Sequence, residues 1–365
     1  MKIGILTFYS CHNYGAILQT YALQEHLKSK GFKVYIIPYN PPEVIGQYYD
    51  IGWISSTGLS FSRRIKRMLG NIYRMIIVFP LKLMRGKWFN RFIHSNFNVC
   101  SDYKNFDFSC CVIGSDQIWN KNITKDDYFY FEYLPNVNRI SYAASAGNGE
   151  DLLLNDSRAI DAINSLDAIS VRENSLKAKL EKHIDKDINL VLDPTLLVSA
   201  EVFDKIAVEP KFKDKYVLIY RMLPSEKLFS VAKKFAKEHQ VALYEVKPYV
   251  SLKSLFFPES NKMFESPEKF LGWFKNAEFV VTTSFHGVAF SLVFQKSFYF
   301  ISSDNPAENR IKSLLEQLGL TDRIISGDTI PVFNHIDYST VESKLNNLRK
   351  ESNDFLMNAL SNYSI

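Results

Sequence analysis

The chain has 365 residues, 46% hydrophobic and 23% charged. That composition excludes a disordered chain and predicts two or three globular domains. Its formal charge is only +5, yet nine cations (Arg63, Arg64, Lys66, Arg67, Arg74, Lys82, Arg85, Lys87, Arg91) and no Asp or Glu fall between Ile51 and Ser101, leaving −4 elsewhere. A protein coated with positive charge for nucleic acid is excluded; one segment is basic.

The opening MKIGILTFYS is too short in its apolar run for a signal peptide and reads as a buried first strand, residues 2–8. Asn13 is placed to cap a helix to about Lys30, and Gly31 to end it. Residues 33–39 form a second strand, so the start is a βαβ unit with parallel pairing, broken after it by Pro41 and Pro42. In 62–73, Ile65, Met68, Leu69 and Ile72 share one face of a basic helix. A second basic helix follows Pro80 and runs through Lys87 and Arg91. The apolar run at 75–81 falls far short of the roughly 20 residues a bilayer requires. Four cysteines without a CxxC predict neither a disulfide scaffold nor a zinc ribbon, and the chain reads as cytoplasmic and reduced.

Strands at 110–113, 139–145, 167–171 and 188–192 each run into small or polar residues. Residues 198–214 read as a linker. A second alternating series then begins: strands at 216–220, 241–246, 279–282 and 297–301, with helices at 225–238, 266–276, 288–294 and 309–318. A long polar helix closes the chain at 340–360. The fold class is α/β: two Rossmann-like domains facing a cleft. In such sheets ligands sit beyond the carboxyl ends of the strands.

Three constellations lie at such ends. In the first, Cys11-His12-Asn13-Tyr14-Gly15, Gly15 lets an anion approach the amides of a helix N-terminus, although no GxGxxG dinucleotide fingerprint is present. A simple capped turn explains the residues equally well. The second, Gly114-Ser115-Asp116-Gln117-Ile118-Trp119-Asn120, suits a sugar pocket, with Trp119 offering a face for stacking; the plainer reading is a tight turn with Trp119 over the core. The third, Thr282-Thr283-Ser284-Phe285-His286-Gly287, combines hydroxyls, a helix N-terminus and a histidine able to move a proton near neutral pH; the plainer reading is a structural histidine with its hydrogen bonds satisfied. Arg172, Arg221, Arg310 and Arg323 lie near strand ends or loops and can bind phosphate or carboxylate in a bidentate fork, although for each alone a surface salt bridge is the plainer reading.

The ordered set NYGAILQTYAL, VIGSDQIWN, SYAASAG, ISVREN, LVLDPTLL, TTSFHGVAFSLVF and RIKSLLEQLGL resembles the polysaccharide pyruvyl transferase family over nearly the whole chain. The resemblance implies a fold similar to B-type glycosyltransferases and transfer of pyruvate from phosphoenolpyruvate onto a sugar as a ketal. Many members carry Arg-Leu-His where this chain has Ser284-Phe285-His286. The histidine carries over to His286; the arginine has no match at Ser284.

The expectations are these. Residues 1–197 form a Rossmann-like domain with a basic helical insertion at about 52–100. Residues 198–338 form a second such domain, and 339–365 a helix packing back on the first. His286 and Asp116 are the catalytic candidates. Asn13, Tyr14, Gly15, Ser115, Gln117, Trp119, Asn120, Arg172, Arg221, Ser284, Phe285, Gly287 and Arg310 are the substrate-binding ones. No metal or cofactor is expected; phosphoenolpyruvate is the donor. The acceptor is a lipid-linked or oligosaccharide precursor of exopolysaccharide or capsule. Arg63, Arg64, Lys66 and Arg67 with the nearby apolar residues either meet the inner face of the cytoplasmic membrane or form a solvated helix whose apolar face rests on the first domain. The rivals are a nucleotide-sugar glycosyltransferase of the same architecture and a catalytically silent sugar-binding protein.

Overall fold

The structure is a computed structural model that describes residues 1–38, 55, 57–58, 60–124, 134, 137–211, 214–222, 225–248, 261–327 and 332–363. Tyr39, Pro41, Pro42 and the first residues of the expected insertion lie outside them.

Among the described residues, twelve strands pair in parallel in sheets of four, six and two. The first half holds β1 (Lys2–Leu6), β2 (Lys33–Ile36), β3 (Cys110–Ile113), β4 (Arg139–Ser141), β5 (Ile169–Val171) and β6 (Ile188–Leu190). Its main sheet has the order β2-β1-β3-β4, with Ile3 opposite both Val34 and Cys110. Isolated bridges, Ile140 to Ala168 and Ala144 to Val171, continue that sheet to the β5-β6 pair. The second half holds β7 (Tyr216–Tyr220), β8 (Ala242–Val246), β9 (Asn261–Met263), β10 (Phe279–Thr282), β11 (Ser297–Ile301) and β12 (Ile324–Ile325). Its order is β12-β11-β10-β7-β8-β9: the chain starts in the middle and winds outward both ways. β1, β3, β7, β10 and β11 are buried throughout or nearly so, as parallel strands covered on both faces must be. Each sheet therefore has a topological switch, between β1 and β3 and between β7 and β10, where strand ends leave a crevice.

The Tyr14–Ser29 helix begins as its cap predicts: the Asn13 carboxamide oxygen accepts from the amides of Gly15 and Ala16. It ends where Gly31 adopts φ +87°, a left-handed conformation cheap only for glycine. It is buried on nearly every side because it lies between the halves. Tyr14 stacks on Phe270 at 4.3 Å, and Phe203 packs against Tyr21 and Phe290.

The basic segment is a single rod: an α-helix Phe61–Tyr73, a π-helical turn Arg74–Val78 and an α-helix Phe79–Asn96. The wide turn precedes Pro80, whose ring would clash with a carbonyl one turn back and which has no amide to donate. Phe89, Phe92 and Ile93 anchor its far end in the first half's core. The apolar face of its near end does not rest on the domain: Ile65, Met68, Leu69 and Ile72 are exposed.

The structure corrects other expectations. Residues 198–214 are more than a linker, since the helix Ala200–Asp204 buries Phe203 completely. The strands expected at 139–145, 167–171 and 188–192 are shorter: the first and third end early, at Ser141 and Leu190, and the second begins late, at Ile169. The helix expected from 288 begins at Phe285, so His286 sits in its first turn. The closing helix, Tyr338–Ser361, touches both halves. Tyr338 donates to the carbonyls of Ser291 and Lys296, while Ser352 and Arg349 bond Leu192 and Leu196.

Candidate active site

Four strand ends converge. β3 delivers Ser115 and Asp116, β5 delivers Arg172 and Glu173, β6 delivers Asp193, and β10 delivers Ser284, Phe285 and His286. Arg172 is the hub. Its Nη1 donates to Asp193 Oδ2 at 2.5 Å, Nη2 lies 3.5 Å from Asp116 Oδ1, and Nε lies 3.7 Å from Glu173 Oε1. Asp193 also accepts from the Thr195 amide and hydroxyl, at 3.0 and 2.7 Å, and from Ser115 Oγ at 3.4 Å. His286 Nε2 stands 3.9 Å from Asp193 Oδ2.

Burial opposes ionisation everywhere in this cluster. For Asp193 burial pushes the carboxyl up, but Arg172, His286 and the Thr195 bonds outweigh it and hold its pKa below the usual range. For Arg172 burial pulls down, and the carboxylates of Asp193, Glu173 and Asp116 more than restore the charge. Burial raises Glu173 against the pull of Arg172, Arg310 and a short bond from Ser145. His286 is lowered, by burial first and by Arg172 and Arg310 besides, despite Asp193 and Asp116. Burial, then the repulsion of Arg172, brings Arg310 down to about 10.

Two guanidinium groups sit over Phe285: Arg172 at 4.7 Å and Arg310 at 5.3 Å from the ring centre. Among the described residues, Arg172 Nε and Nη2, Arg310 Nε and Nη1 and His286 Nε2 have no hydrogen-bond partner, although all are out of contact with solvent. The two Arg172 atoms face the carboxylates of Asp116 and Glu173 at ion-pair distance, whereas Arg310 Nε and Nη1 have no such partner among the described residues; buried donors left unpaired are costly, and those of Arg310 mark a place that suits an anion. Beside them a cavity of about 130 Å³ is lined by Arg172, Asp193, Phe285, Arg310, Gln317 and Glu351, among others.

Gly15 brings the first constellation to the third. A Cβ there would lie 2.0 Å from His286 Nδ1, so only glycine lets the helix Tyr14–Ser29 pass this close to the imidazole. Gly287 is equally constrained, against Thr282 Oγ1. Ser284 precedes the helix, and its amide donates to Thr282 Oγ1. Asp116 adopts φ +68°, an unusual backbone for a non-glycine residue.

Other candidates stand apart from this cluster. Trp119 is wholly buried and offers no face to a sugar; as a large ring at a tight turn it covers the core. Tyr14 is wholly buried too, its hydroxyl bonded to the Glu265 carbonyl at 2.7 Å. The Asn120 side chain is tied to Gln117 at 2.7 Å and Asn148 at 3.0 Å, so Gln117 and Asn120 brace the loop. Asn13 is engaged as a helix cap. Arg221 is held by buried Glu245 at 2.8 Å and stacks on Phe229. The sequence reading passed over Asp193, Glu173 and Arg85. Asp193 lies in an Asp-Pro-Thr that reads as a helix cap, which it also is. Arg85, in the basic rod, is buried over Tyr14 and Phe89 and donates to the His12 carbonyl at 2.7 Å. Among the described residues no His, Cys, Asp and Glu side chains gather as a metal ion requires.

The two halves are Rossmann-like α/β units, as expected, with the charged cluster at their strand ends. The chain belongs to the polysaccharide pyruvyl transferase family, whose model matches residues 13–305. It is an enzyme that transfers pyruvate onto polysaccharide. No curated protein matches the chain. Among solved structures it is similar to Arabidopsis thaliana UGT89C1, with 10% identity, 100% of this chain and 99% of that one covered, and a TM-score of 0.47. It is also similar to the UDP-GlcNAc 2-epimerase of Neisseria meningitidis bound to UDP-GlcNAc (10% identity; 97% and 94% covered; TM-score 0.45). A third is E. coli heptosyltransferase WaaC with ADP (10% identity; 96% and 100% covered; TM-score 0.41).

Proposed function

We propose that the chain transfers pyruvate from phosphoenolpyruvate onto two hydroxyls of one sugar in a lipid-linked precursor of a cell-surface polysaccharide, working at the cytoplasmic side of the membrane. The observation that supports the donor is the pair of buried guanidinium groups about Phe285, of which Arg310 has donors without a hydrogen-bond partner. Phosphoenolpyruvate offers a phosphate and a carboxylate on one planar frame, and two arginines with a histidine match both groups.

His286 is uncharged in the empty site because burial lowers its pKa. An entering phosphate reverses the local field and favours the imidazolium. That proton goes to the methylene carbon of the donor, making C2 electrophilic. A sugar hydroxyl attacks C2 and gives its proton to Asp116. The C2–phosphate bond breaks, and the second hydroxyl closes the ketal, its proton leaving with inorganic phosphate. Acid and base contribute roughly 10²–10⁴-fold each. Asp193 positions both Arg172 and His286, and Ser115 and Thr195 hold Asp193.

The deciding experiment is phosphate release from phosphoenolpyruvate across a panel of lipid-linked sugars. His286→Ala, folded as judged by its melting temperature, loses phosphate release. Near-normal turnover in that variant sinks the assignment. Release of a nucleoside diphosphate from a sugar nucleotide would instead make the chain a glycosyltransferase.

A further inference from the structure

The basic rod carries an apolar stripe that the described chain leaves uncovered. Phe61, Met68, Leu69 and Ile76 are 79%, 52%, 58% and 58% exposed, and Ile65, Ile72 and Met75 are exposed with them. At 100° per residue the five that lie in the helix Phe61–Tyr73 fall within an arc of roughly 100°, and Met75 and Ile76 follow in the π-helical turn. Arg64 and Lys66 border the arc; Arg63, Arg67 and Arg74 occupy the opposite side. Single exposed apolar residues are ordinary, whereas a contiguous stripe of large ones marks a contact surface.

We infer that this stripe lies in the interface of an anionic bilayer, with the helix Phe61–Tyr73 parallel to the surface. The charge decides the occupant. An apolar groove on a protein would be matched by the stripe alone. Eight cations besides the buried Arg85, with no carboxylate between Ile51 and Ser101, match an extended surface of negative charge. No helix among the described residues is long and apolar enough to cross a membrane, so the contact is a lying one. The other end of the rod is fixed in the enzyme by Phe89 and Phe92, and Arg85 reaches the first helix there. Leu69 and Arg85 are sixteen residues apart, about 24 Å of helix. The stripe thus sets the orientation of the inter-domain cleft to the bilayer. This docking goes beyond the reaction proposed above and does not depend on its donor or acceptor.

The test is co-sedimentation of the full chain with phosphatidylglycerol–phosphatidylcholine vesicles and with pure phosphatidylcholine vesicles. The chain partitions onto the anionic vesicles and not onto the neutral ones. Two separate variants, Met68→Ser with Leu69→Ser, and Arg63→Glu with Arg64→Glu and Arg67→Glu, each weaken binding by at least about tenfold. None of these positions belongs to the charged cluster, and all but the half-buried Arg67 are exposed, so melting temperature and phosphate release with a water-soluble acceptor stay at the parental level. Failure of the parent to bind anionic vesicles overturns the inference, as does unchanged binding in either variant. A dimer in sedimentation equilibrium that Leu69→Ser dissolves also overturns it, in favour of a second copy covering the stripe. Loss of turnover in the parent itself would count against the proposed reaction and leave the vesicle result standing.

Discussion

Replacing Gly15 by Ala tests whether the two halves meet where the chemistry is done. The new methyl carbon would lie 2.0 Å from His286 Nδ1, 2.3 Å from Cε1 and 2.5 Å from Cγ, so it meets the face of the ring and not a flexible tip. Ordinary contact begins at 3.4 Å, so the imidazole must retreat by about 1.4 Å. It cannot follow its own helix easily, because Gly287 is already tight against Thr282. Alanine is otherwise welcome in a helix, by up to about 1 kcal/mol over glycine, which offsets part of the strain. A displacement of about 1 Å in a catalytic group costs on the order of 10²-fold in rate. We therefore expect kcat/KM for phosphate release to fall about a hundredfold in Gly15→Ala while thermal unfolding changes little. In a His286→Ala background the same substitution should be silent, since the ring it displaces is gone. Parental kcat/KM in Gly15→Ala, with an unchanged melting temperature, refutes the reasoning.

Three further outcomes follow from the same cluster. Arg172→Met leaves Asp193 buried without its guanidinium and should cost about 3–5 kcal/mol in urea unfolding. Arg310→Met removes a cation with unpaired buried donors; it should leave stability unchanged or raised and weaken phosphoenolpyruvate binding, read by calorimetry. Equal destabilisation by both would contradict this division. Phosphoenolpyruvate binding should take up protons near neutral pH, because His286 is neutral when the site is empty; calorimetry in two buffers of different ionisation enthalpy measures it, and His286→Gln should abolish the uptake. His26, bonded to Asn353 at 3.1 Å, is brought down to about 4, mainly by burial and then by Lys30. Its folded pKa lies below the unfolded 6.5, so the unfolded chain binds the proton first as pH falls. Stability is full above pH 6.5 and lost towards about 4, by on the order of 3 kcal/mol. A urea midpoint in His26→Gln as steep in pH as the parent's would exclude His26 as the cause.

The βαβ start, the two alternating series and the strand ends are legible because apolar runs, caps and glycines are local signals. Asn13 and Gly31 bound a helix by chemistry contained within a few residues. The site was legible as a set of places and less so as a set of partners. Asp193 satisfies a cap locally, and its bond to Arg172 spans 21 residues of sequence, so nothing local announces it. Trp119 suits a sugar on chemistry alone; only packing shows the core has taken it. The two residues of β12 and three of β9 carry too little pattern to see. In the basic rod the helix is plain from its spacing, but whether its apolar side is covered depends on what lies beside it.

The closing helix spans the two halves and is bonded to each. Its first turn is fastened to the second half through Tyr338, and later turns to the first half through Arg349, Ser352 and Asn353. A single rod pinned at both ends cannot lengthen. It ties the halves together along this side, where one buried core already takes side chains from both. The cluster around Asp193 borders this helix through the cavity shared with Glu351 and Ser352, so the rod that joins the halves also backs the site.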